Sequence, residues 1–491
     1  MISFCLSAVF SYLPILLLDK KYRKTRLTLL AIFVIFYILQ LISLVILAHD
    51  INYAFLANMF DITIYVAAFS VYRKYSILLI LLAAIMGYVF SRMNDRFHLQ
   101  NKYLRYLVLL ASFSYLLSPA SLVRSFLKVC RESIYNPSSR KSYDELFREI
   151  TGLDYVNREE IRVRLPSRPK NLVIIELESF EQRLLENFRE ATRDINSYAD
   201  EGEFYSDIAM VEGSGWTMGG IHTFLCGSPM LYGLASSPPL KLVSVTRLVC
   251  LPDILSRAGY YQLYLGGEKR KFSGKSQFFF SHGYDEVLGT KELSREYGLE
   301  KEDLNSWGVR DLEVFRAAKD KYRKLAKSGK PFSIMISTLD THDLEDGGLK
   351  DARCKNSTGN DALNRLECTN DLLADFINFL KNEPNYEDTV LVILPDHLLM
   401  SGVSALGIRA DDSTRRLYVL LLNTALGGER RRAAILYTDI PSLILERLGL
   451  EHNAKFLLEN HWSQTMEERL DHLGKNLERI RTFNEKTLLR K

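Results

Sequence analysis

Residues 171–181 read NLVIIELESFE, an apolar run from Leu172 to Ile175 that closes on the acidic pair Glu176 and Glu178. Further runs of the same kind follow: YYQLYL from Tyr260, PFSIMIST from Pro331, TVLVILPD from Thr389 and RLYVLLLN from Arg416. They lack the alternation of a strand with one wet face, and segments of helical period separate them. Continuous apolar strands alternating with helices predict an α/β domain, a mostly parallel sheet sandwiched by helices. Functional side chains of such sheets collect just beyond the carboxyl ends of the strands. That rule selects Glu176 and Glu178, Asp340 and His342, and Asp396 with His397.

Between the first two runs lies VEGSGWTMGGIHTFLCG, a glycine-rich turn that sets Thr217 in front of a helix expected over Met218 to Leu225. A hydroxyl at a helix amino terminus is well placed to meet an anion. Taken singly, each of these residues has an ordinary reading: a loop glutamate, an N-capping threonine, a chance Asp-His pair. Their ordered combination is what a divalent metal and a phosphoryl reaction centre need.

The 491-residue chain is asymmetric. Residues 1–123 are dominated by uncharged apolar runs, and Ile2 to Leu18, Leu27 to Ala48, Tyr75 to Ser91 and Tyr106 to Val123 are each long enough to cross a bilayer. The basic loops Lys20–Arg26 and Arg92–Arg105 are expected in the cytoplasm, which puts both ends of a four-span domain outside and leaves Ile51 to Tyr72 on the outer face. A fifth span there would instead place the large domain inside. A charged connector is expected over 124–170, the catalytic domain over 171–451 and a charged helical tail over 452–491. The net charge of +4 and the scatter of basic residues give no footprint for nucleic acid. Cys226, Cys250, Cys354 and Cys368 are either two neighbour disulfides, 226 with 250 and 354 with 368, or four buried thiols.

From about Asn171 to Leu448 the chain resembles the phosphoglycerol transferases that modify periplasmic glucans, within the alkaline phosphatase and sulfatase superfamily. It resembles lipoteichoic acid synthases and lipid A phosphoethanolamine transferases more distantly. NLVIIELESFE is similar to the family's opening strand, with Glu178 at the metal-binding position, and GSGWTMGGIHTFLCGSP to its nucleophile segment, with Thr217 at the attacking position. The segment CLPDILSRAGYYQLYLGGEKRKFSGKSQFFFSHGYDEVLG and then NSWGVRD, ISTLDTHD and VLVILPDHLLMSG match in order and spacing, and YTDIPSLILERLG resembles the closing helix. Leu177 replaces the usual small residue before the metal glutamate, and Asp343 follows His342 where a second histidine is sometimes seen. The cysteine-centred sulfatase signature is absent, and the tail after His452 is too short for the extra domain of the long glucan transferases.

The resemblance implies a membrane enzyme of the bacterial inner membrane, its catalytic domain on the periplasmic or extracellular side. Glu178, Asp396, His397 and the Thr217 oxygen would hold one divalent ion, Mn2+ or Mg2+, and Thr217 would carry phosphoglycerol from phosphatidylglycerol to a glycan acceptor. His342 would bind phosphate and assist proton transfer. Arg270, Lys271 and Lys275 would contact the phosphate or head group, with Trp307 and Asp311 near glycerol or sugar. The same centre could transfer phosphoethanolamine or hydrolyse a phosphodiester. A reading of another class is a non-catalytic membrane scaffold, which the intact Thr217, Glu178, Asp396 and His397 disfavour.

Overall fold

The run Asn171–Leu177 forms strand β2 and is buried along its whole length, as a strand covered on both faces must be. In the computed structural model, residues 141–231, 246–342, 358–400, 412–424, 435–458 and 465–488 are described, with a few isolated positions elsewhere. The four expected spans and the 51–72 segment therefore lie outside the described residues, apart from Thr28, Leu29 and Ser112. Among the described residues no helix is long and apolar enough to cross a membrane. Asn136–Lys491 makes a compact unit of its own.

The strands in chain order are β1 (Val163–Arg164), β2, β3 (Glu203–Ile208), β4 (Tyr261–Gly266), β5 (Glu286–Leu288), β6 (Phe332–Ser337), β7 (Thr389–Pro395), β8 (Leu417–Leu422), β9 (Arg430–Arg431) and β10 (Glu451–His452). The main sheet has eight strands in the order β5-β4-β6-β2-β7-β8-β3-β9. Its central strands β4, β6, β2 and β7 are parallel, and all four arise from the apolar runs. The fifth run, β8, pairs antiparallel with both β7 and β3, so it alone opposes the direction of the sheet. An apolar run carries no mark of its direction, and β8 turns back against its neighbour β7.

Register brings the strand ends level. Glu176 lies opposite Ser337, and Leu177 opposite Pro395. The next residues, Glu178, Thr338 and Asp396, therefore leave the sheet at one edge. Helices named here are α1 (Tyr143–Thr151), α2 (Thr217–Cys226), α3 (Asp311–Ala326), α4 (Asp361–Lys381), α5 (Ile440–Leu448) and α6 (Met466–Thr487). Apolar residues of α3 and α4 fill one core with β2, β4, β6 and β7.

Helix α1 opens on a capping box of Ser142 with Glu145, and α6 on one of Thr465 with Glu468. The two helices pack on each other: Phe147 and Tyr155 lie 5.8 and 5.7 Å from Phe483, ring centre to ring centre. β1 pairs with β10, so the segments flanking the catalytic sequence meet twice. At the start of α6 the Arg469 guanidinium donates both Nη atoms to Asp439, at 2.5 and 2.6 Å, with both side chains buried. Burial raises the Asp439 carboxyl, and Arg469 works against that rise. Both proposed disulfide pairs form, Cys226 with Cys250 and Cys354 with Cys368. Cys226 and Cys250 are fully buried, so that bridge ties the end of α2 into the interior rather than stapling a surface loop.

Breaking a buried pair from one side leaves an uncompensated charge and costs about 3–5 kcal/mol. Arg469→Met is expected to lower the unfolding free energy of the 136–491 unit by that amount, and denaturant titration of the full chain measures it.

Candidate metal centre

Glu178 is the first residue past the extended part of β2, and Ser179 behind it adopts φ +56°, a conformation uncommon for a side chain with a Cβ. That turn lets one residue hold two carboxylates. The Ser179 hydroxyl donates to Glu178 Oε1 at 2.7 Å and its backbone N–H donates to Asp396 Oδ1 at 2.8 Å. The backbone of Glu178 is gripped from the β6 turn: its N–H donates to Thr338 Oγ1 at 2.9 Å, and its carbonyl accepts from Thr341 Oγ1 at 2.5 Å.

Asp396 and His397 follow β7 directly. His397 Nδ1 lies 2.7 Å from the Leu398 carbonyl, so that nitrogen carries the proton and donates, which leaves the Nε2 lone pair directed into the site. Nε2 stands 3.1 Å from Asp396 Oδ2 and 3.5 Å from Glu178 Oε1. Thr217 opens helix α2, is half-buried, and donates from Oγ1 to Glu178 Oε2 at 3.2 Å. The helix can approach this closely because Gly220 has no side chain: a Cβ there would lie 2.0 Å from the Asp396 carbonyl oxygen.

Burial and the adjacent Glu178 carboxylate push the Asp396 carboxyl up to about 6. For His397, burial opposes the imidazolium, but Asp396 and Glu178 outweigh it and the net shift is upward. Glu176 lies beneath, and burial followed by Asp396 holds its carboxyl well above the usual carboxylate range. Each of these carboxyls resists ionisation in its neighbours' field, and a counter-charge in the site would relieve that.

Ligand atoms of Glu178, Asp396 and His397 all lie within 4.8 Å of one another. Asp396 Oδ2 and His397 Nε2 are buried and have no hydrogen-bond partner. Orphaned buried acceptors are costly. A cation accepting their lone pairs removes that cost, so the donor set fits a divalent ion with oxygen and imidazole ligands.

The other residues singled out from the sequence are placed as follows. His342 lies on the turn after β6, its ring 4.1 Å from that of Trp307. The Trp307 and Gly308 N–H groups donate to Asn305 Oδ1, and Asn305 Nδ2 donates to Asp340 Oδ1 at 2.7 Å. Asp311 is fully buried and accepts from the N–H groups of Leu339 and Asp340, so it braces that turn from the start of α3. Lys275 is buried, donating to Glu268 at 2.8 Å and to the Tyr264 hydroxyl at 3.1 Å. Burial opposes its charge, but Glu268, Tyr264 and Glu176 more than offset that and raise its pKa. Arg270 pairs with Glu292 at 3.1 Å, and Lys271 is exposed. Sequence reasoning did not single out Ser179, Thr338, Thr341 or Asn305. The threonines sit inside the STLDTHD motif, where hydroxyls flanking an Asp-His pair were the available signal.

The sulfatase family profile matches residues 170–432, more than half of the chain. The chain belongs to the sulfatase family. Among curated relatives, phosphoglycerol transferase I of Salmonella arizonae and that of Escherichia coli are each 29% identical to this family member over 265 residues, 52% of this chain and 34% of theirs. The match thus spans about a third of the length of those relatives. A Vibrio parahaemolyticus protein of the alkaline phosphatase superfamily superposes with a TM-score of 0.54 at 17% identity, over 68% of this chain and 81% of that one. The lipoteichoic acid synthase LtaP from Listeria monocytogenes gives 0.50 at 13% identity, over 65% and 81%. These two likenesses show the fold.

Metal binding at this sulfatase-family centre requires ionised Asp396, so protons compete with the ion. The apparent Mn2+ affinity, followed by electron paramagnetic resonance, is expected to fall as the pH drops, first as His397 takes up a proton and then more steeply below about 6, where Asp396 is protonated as well. Asp396→Asn is expected to weaken binding strongly and to leave only the His397 part of the pH dependence. A flat profile through that range would contradict the assignment.

Proposed function

We propose that this chain transfers phosphoglycerol from phosphatidylglycerol to a hydroxyl of a periplasmic or surface glycan, through a covalent intermediate on Thr217. The observation that carries the reading is the half-buried Thr217 hydroxyl, hydrogen-bonded to Glu178 beside two buried, unpartnered ligand atoms of Asp396 and His397. The likeness to enzymes named phosphoglycerol transferase I supports the choice of donor.

Glu178, Asp396, His397 and the Thr217 oxygen would hold one divalent ion, Mn2+ or Mg2+. When bound, such an ion lowers the pKa of a ligated hydroxyl and screens phosphodiester charge. Glu178 fixes the Thr217 oxygen through its hydrogen bond, and the uncapped first turn of α2 presents N–H groups to the incoming phosphate. Thr217 gives up its hydroxyl proton as Oγ attacks phosphorus in line; the bond from phosphorus to the diacylglycerol oxygen breaks, and that oxygen takes up a proton, so one proton is released and one consumed. His342 is assigned to phosphate binding and to delivering that proton. In the second displacement the acceptor hydroxyl attacks the same phosphorus, and Thr217 leaves and is reprotonated. Asp311 acts by bracing the turn that bears His342, and Trp307 by holding the imidazole. Arg270 and Lys271 supply positive charge to the head group, whereas Lys275, buried against Glu268 and the Tyr264 hydroxyl, supports β4 from within. The apolar 1–123 region would anchor the chain in the bacterial inner membrane by about four spans, with the catalytic domain outside. Confining enzyme and lipid donor to one surface raises the local donor concentration.

Full-length chain incubated with Mn2+ and phosphatidylglycerol is expected to gain the mass of one glycerophosphoryl group, mapped to the Thr217 peptide and absent from Thr217→Ala. A phosphoethanolamine adduct from mixed lipids would replace the donor. Free glycerophosphate without transfer would make the chain a hydrolase, and no adduct with no diacylglycerol released would refute the transferase.

A further inference from the structure

Behind the metal centre, the segments that follow Glu178 and His397 turn away from the sheet and meet at one buried ion pair. Glu181 is fully buried and Arg415 nearly so. Arg415 Nε donates to both Glu181 oxygens, at 2.9 and 3.0 Å, and its Nη2 also donates to Glu181. The same Nη2 donates to the Leu399 carbonyl at 2.6 Å, while the Leu399 N–H donates to Glu181 Oε2 at 2.9 Å. One carboxylate and one guanidinium thus hold both polar groups of Leu399. Its neighbour Leu398 supplies the carbonyl that fixes the His397 ring. The next residue of the first segment, Gln182, donates its N–H to the Arg416 carbonyl at 3.0 Å, which locks the two backbones together.

We propose that Glu181 and Arg415 form a positioning pair that sets the His397 imidazole and the Glu178 turn for metal binding; this rests on the metal reading above. Neither residue belongs to the cluster of ligand atoms formed by Glu178, Asp396 and His397. The pair acts through Leu399: without it the N–H of the Leu398–Leu399 peptide loses its acceptor and the carbonyl of the following peptide loses its donor, and the Leu398 carbonyl that fixes the ring is free to rotate. Outer-shell partners of a metal-binding histidine typically contribute 10–100-fold to affinity.

A comparable pair supplies the control. Glu203 is fully buried and bound by the Arg447 guanidinium, whose Nε lies 2.9 Å from Oε2. It also accepts from Thr424 and Tyr205, and joins the start of β3 to α5. Disturbing it should lower stability without moving a metal ligand.

The test is Mn2+ binding to the full chain, read by electron paramagnetic resonance, with the thermal midpoint recorded for every variant. Glu181→Gln and Arg415→Met are expected to raise the dissociation constant about tenfold or more. Arg415→Lys should recover part of the loss, since one ammonium can serve Glu181 or the Leu399 carbonyl but lacks the planar fork that serves both. Glu203→Gln should lower the midpoint and leave the constant within about twofold of the unsubstituted chain. Unchanged affinity in Glu181→Gln and Arg415→Lys, or an equal loss in Glu203→Gln, would overturn the positioning role while leaving the metal centre standing. Failure of the unsubstituted chain to bind Mn2+ would overturn the metal reading and the pair with it.

Discussion

Glu176, Glu178 and Asp396 are carboxylates buried within one another's fields, with His397 as the imidazole among them. Removing such groups from water is unfavourable unless hydrogen bonds and a counter-charge replace the solvent. Much of the local structure follows from that requirement. Ser179 takes a positive φ so that its hydroxyl and N–H reach two carboxylates. Thr338 and Thr341 close on the Glu178 backbone from the neighbouring strand, and Gly220 brings the Thr217 helix against Asp396. After these contacts, Asp396 Oδ2 and His397 Nε2, 3.1 Å apart, still lack hydrogen-bond partners, and a cation between them would satisfy both lone pairs.

The sheet makes this concentration of charge possible. Parallel strands β6, β2 and β7 deliver their carboxyl ends to one edge in register, so residues distant in sequence become neighbours without long loops. The same edge receives α2, whose far end is bonded through Cys226 to Cys250. The helix bearing Thr217 is therefore fixed at both ends, by close packing at the metal centre and by a covalent bond in the interior.

The central strands were legible because burial on both faces leaves no polar alternation, and the runs at 171, 331 and 389 end on the acidic and imidazole groups that the fold uses. β3 and β5 were not, since EFYSDI has an exposed, polar end and Glu286–Leu288 is very short. The reversed direction of β8 leaves no mark in its composition. Glu178, Thr217, Asp396 and His397 were found because their spacing follows a family pattern, and the structure brings them together. Lys275 illustrates the opposite case. Its basic neighbours read as a phosphate-facing loop, yet Glu268 and Tyr264, from the end of β4, draw its ammonium inward. Ser179 and the Glu181–Arg415 pair escape notice because backbone conformation and pairing across 234 residues leave no local trace in a single sequence.

The central claim is that one divalent ion sits among these four side chains. Anomalous diffraction from crystals of the full chain grown with Mn2+ tests it most directly. The account predicts one manganese peak bounded by Glu178, Thr217, Asp396 and His397. A manganese peak elsewhere, with Asp396 Oδ2 and His397 Nε2 still unpartnered, would contradict it.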